Sequence, residues 1–151
     1  MRKSLSPLYL LGLTMVLITL SASCRGEKKD AAASEPSRME AVLAVHDEVM
    51  PKMRDIGKLV ARLKPLADST ETGLPYLAAM KDLQAAHQSM MDWMKGFGDR
   101  FDPAEIRQGK ELSDQKKEWL QEEEVKVRAM RDQVLHSIEA AEALLARHVS
   151  P

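Results

Sequence analysis

Apolar residues recur in alternating steps of three and four after Ser37, and this spacing constrains the fold more than any other feature of the chain. Because an α-helix turns once every 3.6 residues, such spacing places these residues on one helical face. Ser37 and Glu40 form a capping-box pattern at the start, and Pro65 marks the end. The sequence therefore predicts one amphipathic helix of about 30 residues. Its apolar stripe comprises Met39, Val42, His46, Val49, Met53, Ile56, Val60 and Leu63.

Two further stripes predict two further helices. The second helix starts near Leu74 and is predicted to end at Gly96 and Gly98, and the third covers residues 114–148. Asp102 and Pro103 form the start pattern of an extra short helix near 103–111. The apolar faces are Leu77, Met80, Leu83, His87, Met90, Met91 and Met94 in the second helix, and Leu120, Val127, Met130, Val134, Ile138, Ala141 and Leu145 in the third.

Composition supports a helical fold class. Aromatic residues make up only 4% of the chain and charged residues 30%, whereas strands favour aromatic and β-branched residues. The joints between the three stripes are short, which makes consecutive helices antiparallel neighbours. We expect an all-α domain, an antiparallel up-down-up three-helix bundle, over residues 37–148.

The first 23 residues have the pattern of an export signal. Arg2 and Lys3 precede an apolar run from Leu8 to Leu20, and small residues follow it. A basic start, a short apolar region and a small-residue cleavage site are typical of a secretory signal peptide. An uncleaved anchor helix is the alternative, because residues 4–23 carry no charge. Residues 24–36 are small and polar after Cys24, which predicts a flexible tether.

Cys24 is the only cysteine, and it directly follows the small residues at the end of the leader. This position resembles the lipobox of bacterial lipoproteins, in which the cysteine becomes the mature N-terminus and carries acyl chains such as palmitate. Ser21 occupies the place where a lipobox usually has Leu, so cleavage by an ordinary signal peptidase, with a free Cys24 thiol, is the alternative. Arg25 follows instead of Asp, which indicates the outer membrane, facing the periplasm.

Three segments carry a resemblance to a known family. They are AVHDEVMPKM (44–53), LQAAHQSMMDWM (83–94) and VKVRAMRDQVLHSIEAAEALL (125–145). They resemble a family of small lipoproteins from Bacteroidota-type bacteria, some of whose members are labelled viral A-type inclusion protein. The resemblance spans about residues 39–146 and the leader. It implies export and a helical domain, and it assigns no activity.

The same His-x3-Met-x2-Met motif occurs in the first and second helices. Residues at positions i, i+4 and i+7 share one face of a helix. If the turn between these two antiparallel helices is centred near Thr70, His46 lies level with Met94, Met50 with Met90, and Met53 with His87. These facing residues of the two helices are here named the histidine–methionine seam. Imidazole and thioether ligands suit Cu(I), so the seam predicts a periplasmic copper-binding site. Its candidate ligands are His46, Met50, Met53, His87, Met90, Met91 and Met94.

Two other interpretations of the seam remain open. Methionine fills irregular helical cores, and a histidine ring can pack at such a seam beside a carboxylate such as Asp47 or Asp92. This packing interpretation is the stronger one. Haem held by a His–Met pair uses the same ligand types, but the chain has no c-type attachment motif.

Charge and motif content narrow the function classes. The net charge is −1, with no concentrated basic face of the kind that binds nucleic acid. No Ser–His–Asp or Cys–His arrangement indicates an enzyme. The acidic run 122–124 predicts a solvated face, with pairs from Glu122 to Lys126 and from Glu124 to Arg128. We expect a membrane-anchored envelope lipoprotein whose non-catalytic domain binds an envelope protein or has a structural role.

Overall fold

The computed structural model describes residues 37–149. The predicted signal peptide, Cys24 and the tether lie outside this range. The described residues form an all-helical structure without strands. Its five helices are α1 (Arg38–Val49), α2 (Lys52–Leu63), α3 (Leu74–Arg100), α4 (Pro103–Arg107) and α5 (Asp114–Val149).

The first predicted helix is divided in two at Met50 and Pro51, so the prediction of one continuous helix was wrong. Proline has no backbone N–H, and its ring clashes with the carbonyl four residues earlier. The backbone tightens there: the Met53 N–H donates to the Met50 carbonyl over 3.3 Å, and the Arg54 N–H to the Pro51 carbonyl over 3.4 Å. The predicted capping box is confirmed, because Ser37 and Glu40 each accept the other's backbone N–H.

The second predicted helix ends later than expected. Gly96 and Gly98 lie inside α3, which continues to Arg100, so their prediction as helix terminators was wrong. A glycine inside a helix costs about 1 kcal/mol relative to alanine. Here the flanking Phe97 and Phe101 are buried in the core. We attribute the continuation of the helix to that burial, which outweighs the glycine cost.

Two compact turns join the long helices. In the turn between α2 and α3, the Asp68 carboxylate accepts the Thr70 N–H. A Cβ at Gly73 would lie 2.8 Å from the backbone nitrogen of Asp68, so only glycine fits there. After α3, Asp102 caps the short helix α4 as predicted. Gly109 then adopts a positive φ of 67°, a conformation that side chains disfavour.

Helix α5 is the centre of the packing. It contacts α1, α2 and α3, and α2 also contacts α3. All seven residues predicted for the apolar face of the third helix are buried. The core also contains Met39, Val42, Val49, Ile56, Leu59, Leu63, Leu83, Ala86, Met90, Trp93, Phe97 and Phe101. Within residues 37–149, no helix combines the length and apolar composition needed to cross a bilayer.

Candidate ligand site at the histidine–methionine motifs

His46 is a packing residue in this structure. Its ring stacks on Trp93, with centroids 5.5 Å apart and planes inclined at 28°. Its Nδ1 lies 2.9 Å from the Asp47 carboxylate, as the packing interpretation expected. Its Nε2 and the Trp93 Nε1 are buried and have no hydrogen-bond partner among the described atoms. The stack therefore joins α1 to α3 through two ring faces.

An aromatic row continues this stack along α3. Trp93 stacks on Phe97 with centroids 4.9 Å apart, and Phe97 contacts Phe101 at the same distance. The predicted face of the second helix omitted all three residues. The spacing of four residues between Trp93 and Phe97 is the signal that identifies these two as one face of α3, and Phe101 directly follows the helix. The core-facing side of α3 is therefore rotated from the predicted stripe.

The remaining members of the α1 motif are separated by the break at Pro51. Met50 lies at the break with 42% of its surface exposed. Met53 lies in α2, half-buried against the core. His46 packs inward on Trp93. The described structure thus places the three side chains of this motif in three different environments.

The α3 motif remains on one continuous helix. Met90 is fully buried in the core, whereas Met91 and Met94 are 36% and 39% exposed and His87 is also exposed. His87, Met91 and Met94 each directly follow a core residue, and consecutive residues of a helix are rotated by about 100°. These three residues, here named the methionine strip, therefore lie beside the core face of α3 and are accessible to solvent.

The predicted levels of the seam can be compared with the contact between the rings of His46 and Trp93. His46 was expected level with Met94, and its ring contacts Trp93, the preceding residue. Met50 was expected level with Met90, yet Met50 is exposed and Met90 is fully buried. The seven candidate ligands are therefore divided between the core, its edge and the surface. Among residues 37–149, no three His, Cys, Asp or Glu side chains gather as a metal-binding group.

Two buried carboxylates lie away from these motifs, and both are paired with cations. Glu105 accepts from Lys116 Nζ at 2.6 Å, and this bond lowers the pKa of its carboxyl group. The Asp102 backbone N–H also donates to Glu105. Such a carboxylate stays ionised, which does not suit a general acid.

Glu123 corrects the prediction of a solvated acidic face, because its side chain is only 3% exposed. Arg100 Nη1 lies 3.0 Å from one of its oxygens, and Lys126 Nζ lies 2.9 Å from the same atom. Lys126 thus pairs with Glu123, and the predicted pair of Glu122 with Lys126 was wrong. Sequence reasoning missed this residue because Arg100 reaches it from another helix. The predicted pair of Glu124 with Arg128 is confirmed at 2.9 Å.

A shallow groove of about 400 Å³ runs between α3 and α5, with Trp93 and Met130 in its lining. Its charged groups are already engaged: Asp92 accepts from Gln88, and Lys126 donates to Glu123. The charged side chains of the groove are therefore already paired within the protein. Comparisons of the chain with protein-family models, with curated proteins and with solved structures gave no match.

Proposed function

We propose that this protein is a lipid-anchored envelope lipoprotein whose helical domain binds a protein partner without catalysing a reaction. In this proposal residues 1–23 are removed, Cys24 is acylated, and the domain is held at the outer membrane, facing the periplasm. The domain is an antiparallel up-down-up three-helix bundle in which α1 and α2, although divided at Met50 and Pro51, together take the place of the first helix. The partner is another protein of the envelope.

The leader and the start of the fold support the anchor. Cys24 is the sole cysteine and follows an apolar run and small residues. More than one acyl chain holds a protein stably at a membrane, whereas a single chain holds it only marginally. The resemblance to small Bacteroidota-type lipoproteins agrees with this assignment. Helix α1 begins after the Ser37 cap, so the folded domain starts directly after the proposed tether, residues 25–36.

The contacts between helices support the bundle. A connection of residues 64–73 separates α2 from α3, and the two helices pack on each other. Residues 101–113, which include α4, connect α3 to α5, and these two helices share the most extensive packing. Short connections between packed helices favour antiparallel neighbours.

Exposed methionines are the observation that carries the docking proposal. Six large apolar side chains are exposed within residues 37–149, and three of them are methionines of the two motifs: Met50, Met91 and Met94. Methionine is unbranched and polarizable, so a methionine surface adapts to the shape of a partner. We place the docking surface at the methionine strip of α3, where Met91 and Met94 lie one turn apart.

The ion pairs of the buried carboxylates support a non-catalytic role. A catalytic acid at neutral pH needs a raised pKa, which burial without a cation provides. Glu105 and Glu123 instead lie against Lys116 and Arg100 at 2.6 and 3.0 Å. Both therefore contribute to the structure as ion pairs.

Replacement of the methionine strip tests the docking role. Envelope proteins are cross-linked in intact cells that carry the wild-type chain, the variant Met91→Glu/Met94→Glu, or Met91→Leu/Met94→Leu. We expect one specific cross-linked partner with the wild type and the Leu variant, and its loss with the Glu variant. Val125→Glu, at an exposed position of α5, is the matched control and should keep the partner. Retention of the same partner by the Glu variant would contradict the assigned surface.

The anchor has a separate test. In fractionated cells, the wild-type chain is expected in the outer-membrane fraction and Cys24→Ser in the aqueous fraction or the inner membrane. If the two chains distribute identically, acylation of Cys24 is not what holds the protein.

A further inference from the structure

We propose that the methionine strip binds one Cu(I) ion through the imidazole of His87 and the thioethers of Met91 and Met94. This goes beyond the docking function, because docking needs apolar area whereas metal binding needs the donor atoms themselves. The copper hypothesis drawn from the sequence included seven candidate ligands in two motifs. The proposal retains three of them, all on α3.

The spacing along α3 suits a single ion. α3 is continuous from Leu74 to Arg100, so its rise of about 1.5 Å per residue applies throughout the strip. Met91 is four residues after His87 and three before Met94, about 6 Å and about 4.5 Å along the axis. Residues at these spacings are neighbours on a helix surface. Met91 is therefore the central ligand, with one donor on either side.

The three donors are available. His87, Met91 and Met94 are all exposed, and none has a hydrogen bond, ion pair or ring contact with another described side chain. The corresponding histidine of α1 differs in both respects. His46 is committed to Trp93 through its ring face and to Asp47 through Nδ1. Cu(I) binding at the α3 motif thus breaks no side-chain contact, whereas Cu(I) binding at His46 would disrupt its contacts with Trp93 and Asp47.

The donor atoms of the strip favour a soft monovalent ion. Divalent ions such as Mg²⁺ and Ca²⁺ prefer carboxylate oxygens, whereas thioethers select Cu(I). The residues one turn away from Met91 include one charged side chain, Lys95, and the adjacent Asp92 already accepts a hydrogen bond from Gln88. The Lys95 ammonium group donates to Asp99 at 2.8 Å, further towards the C-terminal end of α3. The ligand set is therefore one nitrogen and two sulfurs without a carboxylate.

Competition for Cu(I) tests the proposal. The full-length chain in detergent carries Cys24→Ser, which removes the only thiol. It competes for Cu(I) with bathocuproine disulfonate under ascorbate and without oxygen. We expect one bound equivalent, and an affinity at least about tenfold lower for His87→Ala and for Met91→Leu. Leucine keeps the size and helix propensity of methionine at this exposed position, so loss of folding does not confound the result.

Matched controls locate the ion. Met50→Leu, His46→Ala and the exposed His136→Ala, measured in the same background, are expected to leave the affinity unchanged. With Ag(I) as a redox-inert substitute, the methyl NMR signals of Met91 and Met94 should shift, and those of the buried Met90 and Met130 should not. Equal affinity for Cu(I) in the wild type and Met91→Leu would overturn the site. A loss of Cu(I) affinity in His46→Ala but not in His87→Ala or Met91→Leu would overturn it as well.

The copper and docking proposals can fail separately. Met91→Leu/Met94→Leu removes both sulfurs and keeps the apolar surface. The two proposals together predict that this variant loses Cu(I) and keeps its protein partner. If the Leu variant still binds Cu(I), the metal site is wrong. If the Leu variant loses the protein partner while Met91→Glu/Met94→Glu keeps that partner, the docking surface is wrong.

Discussion

The imidazole of His46 and the indole of Trp93 stack on each other, with centroids 5.5 Å apart, and so join α1 to α3. The contact starts a row of rings that continues through Phe97 to Phe101. It explains why a histidine occupies an apolar stripe: one ring face packs on Trp93, and Nδ1 reaches the exposed Asp47. His46 is therefore part of the core edge.

Substitutions of His46 separate ring packing from polar chemistry. His46→Ala removes the stacked ring and is expected to lower the free energy of unfolding by about 2 kcal/mol. His46→Phe keeps a ring and removes the unpartnered Nε2, so its free energy of unfolding should stay within about 1 kcal/mol of the wild type. Urea denaturation measures both, with the exposed His136→Ala as control. Equal losses in His46→Phe and His46→Ala would show that the stack is not what stabilises this position.

Two leucines of α3 provide a matched test of the core. Leu83 is fully buried, whereas Leu74 is 51% exposed on the same helix. Leu83→Ala is expected to cost about 3 kcal/mol, because it removes buried methyl groups and leaves a cavity. Leu74→Ala should change stability by less than about 0.5 kcal/mol. Thermal denaturation with circular dichroism detects the difference, and similar losses at both positions would contradict the described orientation of α3.

The ion pair of Arg100 with Glu123 is a third test. Arg100 also lies over the Trp119 ring, 5.4 Å from its centroid. Arg100→Met leaves the Glu123 carboxylate buried with Lys126 as its remaining cation, and we expect a loss of about 2 kcal/mol in the free energy of unfolding. Lys126→Met removes a half-exposed partner and should cost less than about 1 kcal/mol. A larger loss for Lys126→Met than for Arg100→Met in urea denaturation would contradict this order.

Asp102 makes the stability dependent on pH. The Lys110 ammonium, and then the Glu105 backbone N–H, lower the pKa of its carboxyl group from 3.8 to about 2. A lowered folded-state pKa means that this contribution is complete above pH 4 and is lost as the pH falls towards 2. Asp102→Asn keeps the cap acceptor but removes the charge. Its urea midpoint should therefore fall less steeply between pH 4 and pH 2 than that of the wild type.

Lys110→Met is the companion variant for this pH dependence. It removes the largest cause of the lowered pKa and leaves the Asp102 cap in place. We expect a slope of midpoint against pH that lies between those of the wild type and Asp102→Asn. If all three chains lose stability with the same slope, Asp102 does not contribute to the acid sensitivity.

The sequence predicted most of the helices because their signals are local. The caps at Ser37 and Asp102 and the apolar face of the third helix depend on residues within a few turns of one another. The break at Pro51 also has a local cause, because a proline inside a helical stripe removes a backbone donor and clashes with the preceding turn. The burial of Glu123 was not accessible in this way, because it depends on Arg100, a residue 23 positions earlier in the chain.

The face of α3 was misplaced for a different reason. Methionine is common both in cores and on binding surfaces, so Met90, Met91 and Met94 fit either side of a helix equally well. The aromatic residues Trp93 and Phe97 decide the orientation, since their area dominates burial. Once these two face the core, Met91 and Met94 must lie beside it. The candidate site therefore follows from the fold and not from the motif alone.

Mass spectrometry of the mature N-terminus, on protein purified from membranes, tests the central proposal most directly. The account predicts a chain that begins at Cys24, with acyl chains on this residue and residues 1–23 absent. A membrane-purified chain that retains residues 1–23, or that carries an unmodified Cys24 thiol, would contradict it.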